Sequence, residues 1–222
     1  MRAAITMDPN LAFKGERAAE LVRPLLRLLA AEEGLLNFEA LMALTNLASM
    51  SEEIRVRIVK EKGVRAIEYL MFSEHEMIQR AATETMCNMM VTEEVFNYYA
   101  EAETSERMKI FLGLSDVEDF QTRRAASGCL AILSESEKAC RHIQNERISM
   151  EVLVALLASE PELQHRAIAA LKNISGYPDL AKWLIDSGLM EPVNILTFSE
   201  NPAIQQAAKI CHDNMQARYN QA

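Results

Sequence analysis

The sequence predicts an all-α fold built from stacked helical repeats. Half of the 222 residues are hydrophobic but only 6% are aromatic, and there are just seven glycines and six prolines. A chain rich in Leu, Ala, Met and Glu favours helices, because strands need more β-branched and aromatic residues. A repeat period of about 40–47 residues is typical of HEAT and armadillo proteins, whose units bury their apolar faces by stacking on one another. Two independent markers in the chain keep such a period.

The first marker is an alanine followed six residues later by asparagine in four of its five copies. The copies are Ala40 to Asn46, Ala82 to Asn88, Ala125 to Ala131, Ala167 to Asn173, and Ala208 to Asn214. Successive alanines are 41 to 43 residues apart.

The second marker is a serine followed by an acidic residue, at Ser73, Ser115, Ser159 and Ser199. We expect the serine oxygen to cap the next helix and the carboxylate to meet the positive end of the helix dipole. Because both markers keep one period, the sequence predicts an armadillo-type α-solenoid of about five helical repeats, forming a single domain over residues 1–222. The predicted repeats are roughly 14–50, 51–92, 93–135, 136–176 and 177–217.

Each repeat is predicted to contain an apolar helix before the serine marker and a long helix after it. The predicted apolar helices are Pro24–Ala31, Val64–Phe72, Met108–Leu114, Met150–Ala158 and Met190–Phe198, with short leading helices at Ser51–Lys60 and Asp179–Asp186. Gly63, Gly176 and Gly188 are predicted to end helices in the left-handed conformation. In the fifth repeat, His212 takes a position that is apolar elsewhere and a polar tail follows, which indicates a terminal cap.

Helix phase separates a core face from a surface face in the long helices. The core face is predicted to hold Leu41, Leu44, Leu47, Met86, Met89, Cys129, Ile132, Leu171 and Ile174. The surface face is predicted to hold Glu39, Met42, Asn46, Glu84, Asn88, Arg124, Ser127, Arg166 and Asn173. Equivalent positions on successive long helices form a row that holds Asn46, Asn88, Asn173 and Asn214. Because an Asn side chain both donates and accepts hydrogen bonds, this row could pair with the backbone of an extended ligand. The alternative, that these side chains bond within their own solenoid, stays open, and Ala131 interrupts the row.

Charge and composition exclude several kinds of partner. The formal net charge is −9, from 23 Lys and Arg against 32 Asp and Glu, which argues against nucleic acid because phosphate binding needs clustered positive charge. No stretch reaches the roughly 18 apolar residues of a membrane span, and no signal peptide is recognisable. The four cysteines form no C-x-x-C pair, so neither a disulfide framework nor a metal site is predicted, and a reducing cytoplasmic location is expected.

The histidines give no sign of catalysis. His75, His142, His165 and His212 lie in no nucleophile-elbow or H-E-x-x-H pattern, and there is no glycine-rich phosphate loop. The sequence therefore predicts a binding protein without cofactor and not an enzyme.

Several segments within residues 10–90 resemble the UCS domain of the myosin-directed chaperones. The motifs are Asn37-Phe-Glu-Ala-Leu-Met-Ala-Leu-Thr-Asn-Leu-Ala48, Gly15-Glu-Arg17, Val22-Arg-Pro-Leu25, Lys60-Glu-Lys-Gly-Val64, Met71-Phe72, Glu74-His-Glu-Met-Ile78, Arg80-Ala-Ala-Thr-Glu84 and Met86-Cys-Asn88. The resemblance implies a cytoplasmic chaperone module that grips the myosin motor domain in a groove, with Phe38 and Asn46 on the motif that contributes to the groove. It also implies a heat-shock chaperone partner, recruited in animal members through a tetratricopeptide domain that is absent from this chain.

Resemblance and helix phase together give a working hypothesis: the chain holds a partly folded myosin motor domain, its client, without using ATP. Asn46 and Asn88 would bond the client backbone, Met42 would supply apolar contact, and Arg124 and Arg166 would meet acidic client groups. The rival hypothesis is a general armadillo scaffold that binds an extended peptide without chaperone activity. Groove tryptophans, common in peptide-carrying armadillo proteins, are lacking because the only tryptophan, Trp183, lies in a short predicted helix.

The first residues, Met1 to Met7, read as the end of an earlier repeat. We therefore expect the chain to be the C-terminal part of a larger protein. Its first repeat would present an open stacking face, through which self-association is expected.

Overall fold

The computed structural model describes residues 16–219, which are helical and contain no strand. Each predicted repeat contains three consecutive helices, and only the last helix extends beyond its predicted repeat, by two residues. They are α1 Glu16–Glu20, α2 Val22–Leu28 and α3 Gly34–Met50; α4 Glu52–Lys60, α5 Gly63–Leu70 and α6 Glu76–Met89; α7 Glu93–Ala100, α8 Glu106–Leu114 and α9 Phe120–Leu133; α10 Glu137–Asn145, α11 Ser149–Leu157 and α12 Pro161–Ser175; α13 Pro178–Asp186, α14 Met190–Leu196 and α15 Pro202–Tyr219. Met1 to Met7 and Gly15 of the family motif lie outside the described residues. The N-terminal stacking face, through which self-association was predicted, falls outside them as well.

The predicted helices are present, with ends shifted by up to three residues. A leading helix occurs in every described repeat, whereas the sequence predicted leading helices only at α4 and α13, so α1, α7 and α10 are additions to the predicted set. Ser51 caps α4 by accepting a hydrogen bond from the backbone N–H of Ile54.

The described residues group into two compact units, one formed by residues 16–96 with 119–125 and the other by residues 97–118 with 126–219. In the first unit, α3 packs side by side with α6, and Thr45 and Thr85 meet across the pair with 2.6 Å between their hydroxyl oxygens. In the second unit, α12 packs against α15 in the corresponding way. The prediction of a single domain stays a prediction.

Most of the side chains that helix phase predicted to face the core are buried. Leu41, Leu44 and Leu47 are fully buried, as are Met86, Met89, Cys129, Leu171 and Ile174. Ile132 is only half-buried, and His212 in the last repeat is half-buried too. The spacing of three and four residues therefore placed all but one of the predicted apolar side chains inside, as a helix with one apolar face requires.

The serine markers do not cap the long helices, contrary to the sequence prediction. Ser159 donates its hydroxyl back to the Ala155 carbonyl of the preceding helix, while α12 begins later, with proline in its first turn. Asp119 performs the capping at α9, because its carboxylate accepts from the backbone N–H of Thr122 at 2.8 Å. At α15, Asn201 accepts from the backbone N–H of Ala203 at 3.0 Å. The marker thus belongs to the turn between the helices; Asp119 and Asn201 cap α9 and α15, whereas α6 and α12 begin without a side-chain cap.

Two of the three glycine predictions are wrong, because neither Gly63 nor Gly176 is left-handed. Gly188 has φ +82°, as predicted, but the left-handed residue beside Gly63 is Lys62, with φ 61°. Gly63 itself begins α5. Its role is close packing, since a Cβ there would lie 2.7 Å from Leu26 Cδ2 and 2.8 Å from Ile58 Cγ2. Gly176 has φ −64° at the end of α12.

Replacing Gly63 by Ala is expected to destabilise the fold. The buried Ile58 methyl group cannot easily move away from the new Cβ, and such overpacking typically costs about 1–3 kcal/mol. Urea denaturation followed by circular dichroism measures the loss. Gly113→Ala in α8 is the matched control: a Cβ there meets nothing within 4 Å, so it should stabilise the helix by roughly 0.5–1 kcal/mol. Equal effects at the two glycines would contradict the close-packing role of Gly63.

Candidate protein-binding site

The predicted surface residues of the first unit lie on two adjacent long helices. Phe38, Met42 and Asn46 follow one another at intervals of four residues on α3, so they form one stripe. All three are half-buried, as is Glu39 beside them. One repeat later, Arg80, Glu84 and Asn88 take the same positions on α6 and are half-buried too. The described part of the first unit thus carries a stripe that is apolar on α3 and charged on α6.

The asparagines bond within the solenoid, which is the alternative that the sequence left open. Asn88 Nδ2 donates to the Thr45 carbonyl of the preceding long helix at 3.0 Å. In the second unit, Asn173 Nδ2 donates to Ser134 Oγ at 2.9 Å, and Asn214 Nδ2 donates to Ser175 Oγ at 3.1 Å. Each bond joins one long helix to the long helix before it. The amide donors of Asn88, Asn173 and Asn214 are therefore engaged in holding the repeats together.

Replacing Asn88 by Ala is expected to lower the free energy of unfolding. The substitution removes a bond between helices and leaves the Thr45 carbonyl without that donor, which costs about 1–2 kcal/mol. Differential scanning fluorimetry and urea titration measure the change. Asn97→Ala, at an exposed position of α7, is the control and should change stability by less than about 0.5 kcal/mol. If the two variants were equally stable, the role of Asn88 in stacking would be refuted.

A cluster of charged residues joins α6 to the start of α9. Arg80 binds Asp119 through both Nε and Nη2, with 2.9 Å between Nε and Oδ2. Although burial alone would raise the pKa of Asp119, hydrogen bonds from Arg80 and Thr122 lower it to about 2. Arg80 also pairs with Glu76, with 3.4 Å between the charged atoms. The result is a carboxylate held ionised between two helices.

Glu84 and Arg124 are brought together in this cluster. Burial raises the pKa of Glu84, while the positive charges of Arg124 and Arg80 oppose that rise. Arg124 also donates from Nη1 to Gln121 Oε1 at 2.9 Å. The guanidinium predicted for acidic client groups therefore already faces an acidic residue of its own unit.

Ser127 is not at the surface, which corrects its predicted place in the binding site. Its exposed fraction is 1%, and every residue from 125 to 130 is buried. The sequence there is Ala-Ala-Ser-Gly-Cys-Leu, and such small side chains allow neighbouring helices to approach closely, so the serine side chain does not reach solvent. Arg166 and Asn173 of the second unit are half-buried on α12, as their helix phase predicted.

The second unit contains a cavity of about 560 Å³ beside Asn173. Its lining residues are Ser134, Glu135, Lys172, Asn173, Gly176, Tyr177 and Ile210. Ile210 is 43% exposed and, together with Tyr177, gives the cavity apolar wall area next to the charges of Glu135 and Lys172. An open recess that combines apolar wall area with polar and charged groups suits a side chain of a protein ligand. Sequence reasoning missed these four residues, although Ile210 lies four periods after Met42 at the same helix phase.

The described residues offer little for metal binding or nucleophilic chemistry. In that part of the chain no group of three or more His, Cys, Asp or Glu side chains could hold a metal ion. Burial raises the pKa of the Cys140 and Cys211 thiols to about 12, so both are protonated at neutral pH and poor nucleophiles. Between residues 16 and 219, no helix combines the length and the apolar character needed to cross a bilayer.

Comparison with known proteins identifies relatives over most of the chain. No family model matches. The chain is 42% identical over 201 residues to protein unc-45 homolog B of Xenopus laevis, an alignment covering 88% of this chain and 22% of that protein. It is 33% identical over 175 residues to ring assembly protein 3 of Schizosaccharomyces pombe, covering 73% of this chain and 23% of that protein. The chain thus spans about a fifth of the length of the curated relatives it matches.

Solved structures give the same result at the level of the fold. UNC-45 from Drosophila melanogaster superposes with a TM-score of 0.89 at 35% identity, over 99% of this chain and 28% of that one. The C. elegans myosin chaperone UNC-45, crystallised with a Hsp90 peptide, superposes with a TM-score of 0.82 at 32% identity, over 93% of this chain and 23% of that one. A designed armadillo repeat protein superposes with a TM-score of 0.80 at 19% identity, over 96% of this chain and 92% of that one, which concerns the fold alone.

The stacked three-helix repeats and their structural matches define an armadillo-type α-solenoid, as the sequence predicted. The similarity to UNC-45 proteins in both sequence and structure then identifies the family. The chain belongs to the UCS-domain family of myosin-directed chaperones.

Proposed function

We propose that this chain is a myosin-directed chaperone module, which holds the myosin motor domain in a groove of its solenoid and assists its folding and assembly. The observation that carries the proposal is the 42% identity to unc-45 homolog B over 88% of the chain. One solved relative is described as an UNC-45 chaperone with features critical for binding and folding muscle myosin. That relative superposes with a TM-score of 0.86 over 95% of this chain.

The module would act by binding and not by catalysis. Transiently exposed apolar surface makes a partly folded client prone to aggregation, and a protein that covers this surface keeps the client available for folding. The half-buried Phe38 and Met42 in the first unit, and Ile210 beside the second unit's cavity, offer adaptable apolar contact. Arg166 would meet acidic client groups, as its helix phase suggests.

A cytoplasmic location and a heat-shock chaperone partner belong to the same proposal. The cysteines at positions 87, 129, 140 and 211 are all free thiols, which fits a reducing compartment. The co-crystallised Hsp90 peptide concerns the C. elegans protein. For this chain, we propose that a heat-shock chaperone would be recruited by a separate domain.

The experiment is an aggregation assay with the chain and a myosin motor fragment. Heating the motor fragment with and without an equimolar amount of the chain, and following light scattering, tests the chaperone role. We expect the chain to suppress scattering without ATP. A general armadillo scaffold would bind the motor fragment in a pull-down but leave the scattering unchanged, and the absence of both effects would refute the proposal.

Replacing Ile210 by Glu is expected to weaken motor binding at least tenfold. The substitution places a charge on the wall of the cavity at a position that is already 43% exposed, so the fold tolerates it. Val154→Glu is the matched control, because Val154 on α11 is also 43% exposed and does not line the cavity. Biolayer interferometry with immobilised motor fragment measures both. Equal loss in the two variants would remove the cavity from the binding site.

A further inference from the structure

The first unit has a second surface with exposed apolar side chains, where its long helices α3 and α6 begin. Of the five exposed large hydrophobic side chains described in this unit, four lie where α5 turns into α6 or at the start of α3: Leu35, Tyr69, Phe72 and Met77, with exposed fractions of 68%, 79%, 61% and 48%. The fifth, Val91, follows the other end of α6. We call these four residues and the carboxylates around them the corner patch.

The four residues lie on helices and turns that meet at one corner of the unit. Phe72 lies one turn after Tyr69, and its backbone N–H donates to the Tyr69 carbonyl at 3.2 Å. The start of α3 lies against the start of α6, because a Cβ on Gly34 would be 3.3 Å from Ile78 Cδ1 and 3.9 Å from His75 Cδ2. Leu35 and Met77, each next in sequence to one of these contact residues, therefore occupy the same edge. Exposed apolar side chains gathered at one corner, with polar residues around them, are typical of interaction sites on soluble proteins.

The rim of the corner patch is acidic. Its carboxylates are Glu32 and Glu33 before α3 and Glu74 and Glu76 before and at the start of α6, and all four residues are exposed. Arg80 is the cation closest in sequence to Met77, and it is engaged by Asp119 and Glu76. Arg65, one turn before Tyr69 on α5, bounds the patch on its other side. The potential over the apolar residues at the α3–α6 edge is thus negative.

We propose that the corner patch binds a basic amphipathic helix of a partner protein. The apolar face of such a helix would cover Phe72 and Met77, and its Lys or Arg side chains would meet the carboxylates of the rim. This is the helix-in-groove mode of recognition, here combined with complementary charge. The same carboxylates repel phosphate, which disfavours an anionic membrane surface or a nucleic acid as the occupant. Met77 precedes Asn88 by 11 residues on α6, or roughly 16 Å along the helix, so the corner patch adjoins the stripe of the proposed client groove only at the end where Phe38 and Arg80 lie.

The test is fluorescence anisotropy with the full chain and three labelled 18-residue probes. One probe is an amphipathic helix of Leu and Lys, the second carries Glu in place of Lys, and the third keeps Lys but replaces Leu with Ser. We expect the Leu/Lys probe to bind at least tenfold more tightly than either of the others, with affinity falling as salt rises. Equal binding of the Leu/Lys and Ser/Lys probes would show attraction by net charge alone and overturn the proposal.

Variants of the chain locate the site. The double substitution Phe72→Ser with Met77→Ser, and separately Glu74→Lys, are each expected to weaken the Leu/Lys probe at least fivefold. Val91→Ser and Glu94→Lys are matched controls, since both residues are exposed in the same unit and the second changes net charge equally; each should change affinity less than twofold. Controls that weaken binding as much as the patch variants would refute the proposal. The probe assay contains no motor fragment, so failure here is distinguishable from failure of the chaperone proposal.

Discussion

Replacing Phe111 by Ala is expected to lower the free energy of unfolding by about 3–5 kcal/mol, the range typical of a fully buried Phe. Phe111 is fully buried on α8. Its ring meets the ring of Tyr99 edge-to-face, with 5.0 Å between centroids and 69° between planes. The Ala variant loses the buried apolar surface and the ring contact, and it leaves a cavity that a packed helical interior only partly closes.

Two controls separate this packing effect from a general sensitivity to losing aromatic rings. Phe198→Ala removes the same atoms from a side chain that is 79% exposed and should change stability by less than about 0.5 kcal/mol. Phe111→Leu keeps most of the volume and should cost about half as much as Phe111→Ala or less. Urea denaturation of the three variants gives the comparison. A Phe111→Ala variant as stable as Phe198→Ala would mean that the second unit is not packed as described.

The repeat architecture could be predicted because it depends on spacing within one helix. The alternation that places Leu41, Leu44 and Leu47 on one face is local, and the 41- to 43-residue period repeats it. The family motif is informative for the same reason. Its first residue, Asn37, is buried and donates to the carbonyl groups of Leu28 and Ala31 at the end of α2, so part of the motif specifies packing between helices.

The surface could be predicted less well because it depends on partners far away in sequence. Asn88 is on the predicted face, but its hydrogen-bond acceptor lies 43 residues earlier, and no local pattern reveals that bond. Ser127 lies at the helix phase that predicted a surface position, yet the small residues around it allow neighbouring helices to bury it from every side. A local competition decided the helix caps as well: a carboxylate such as Asp119 accepts from the helix N-terminus more strongly than a hydroxyl. The serine marker therefore kept the period without performing the capping.

Replacing Arg80 by Ala is expected to lower the free energy of unfolding by about 2–4 kcal/mol, because the variant leaves the Asp119 carboxylate without its counter-ion in a largely buried position. The Asp119 side chain is only 9% exposed in the folded chain. Arg141→Ala is the matched control. It breaks the ion pairs of Arg141 with Asp179 and Glu137, but all three side chains are about half exposed, so solvent screens these charges and the loss should be much smaller than for Arg80→Ala.

The pH dependence distinguishes a charge effect from lost packing. Because the pKa of Asp119 is about 2 in the folded chain and has its ordinary value near 3.8 when unfolded, its ionisation stabilises the folded state above about pH 4. That contribution, on the order of 2 kcal/mol, is lost as the pH falls from about 4 to about 2. In the Arg80→Ala variant the remaining burial opposes ionisation of Asp119, so its stability should fall less than that of the parent chain over this interval. Urea titrations at pH 7, 4 and 3 should therefore give free energies of unfolding that converge for the two proteins as the solution becomes acidic. A difference that stays constant with pH would show that Arg80 stabilises the α6–α9 contact through its alkyl chain and not through Asp119.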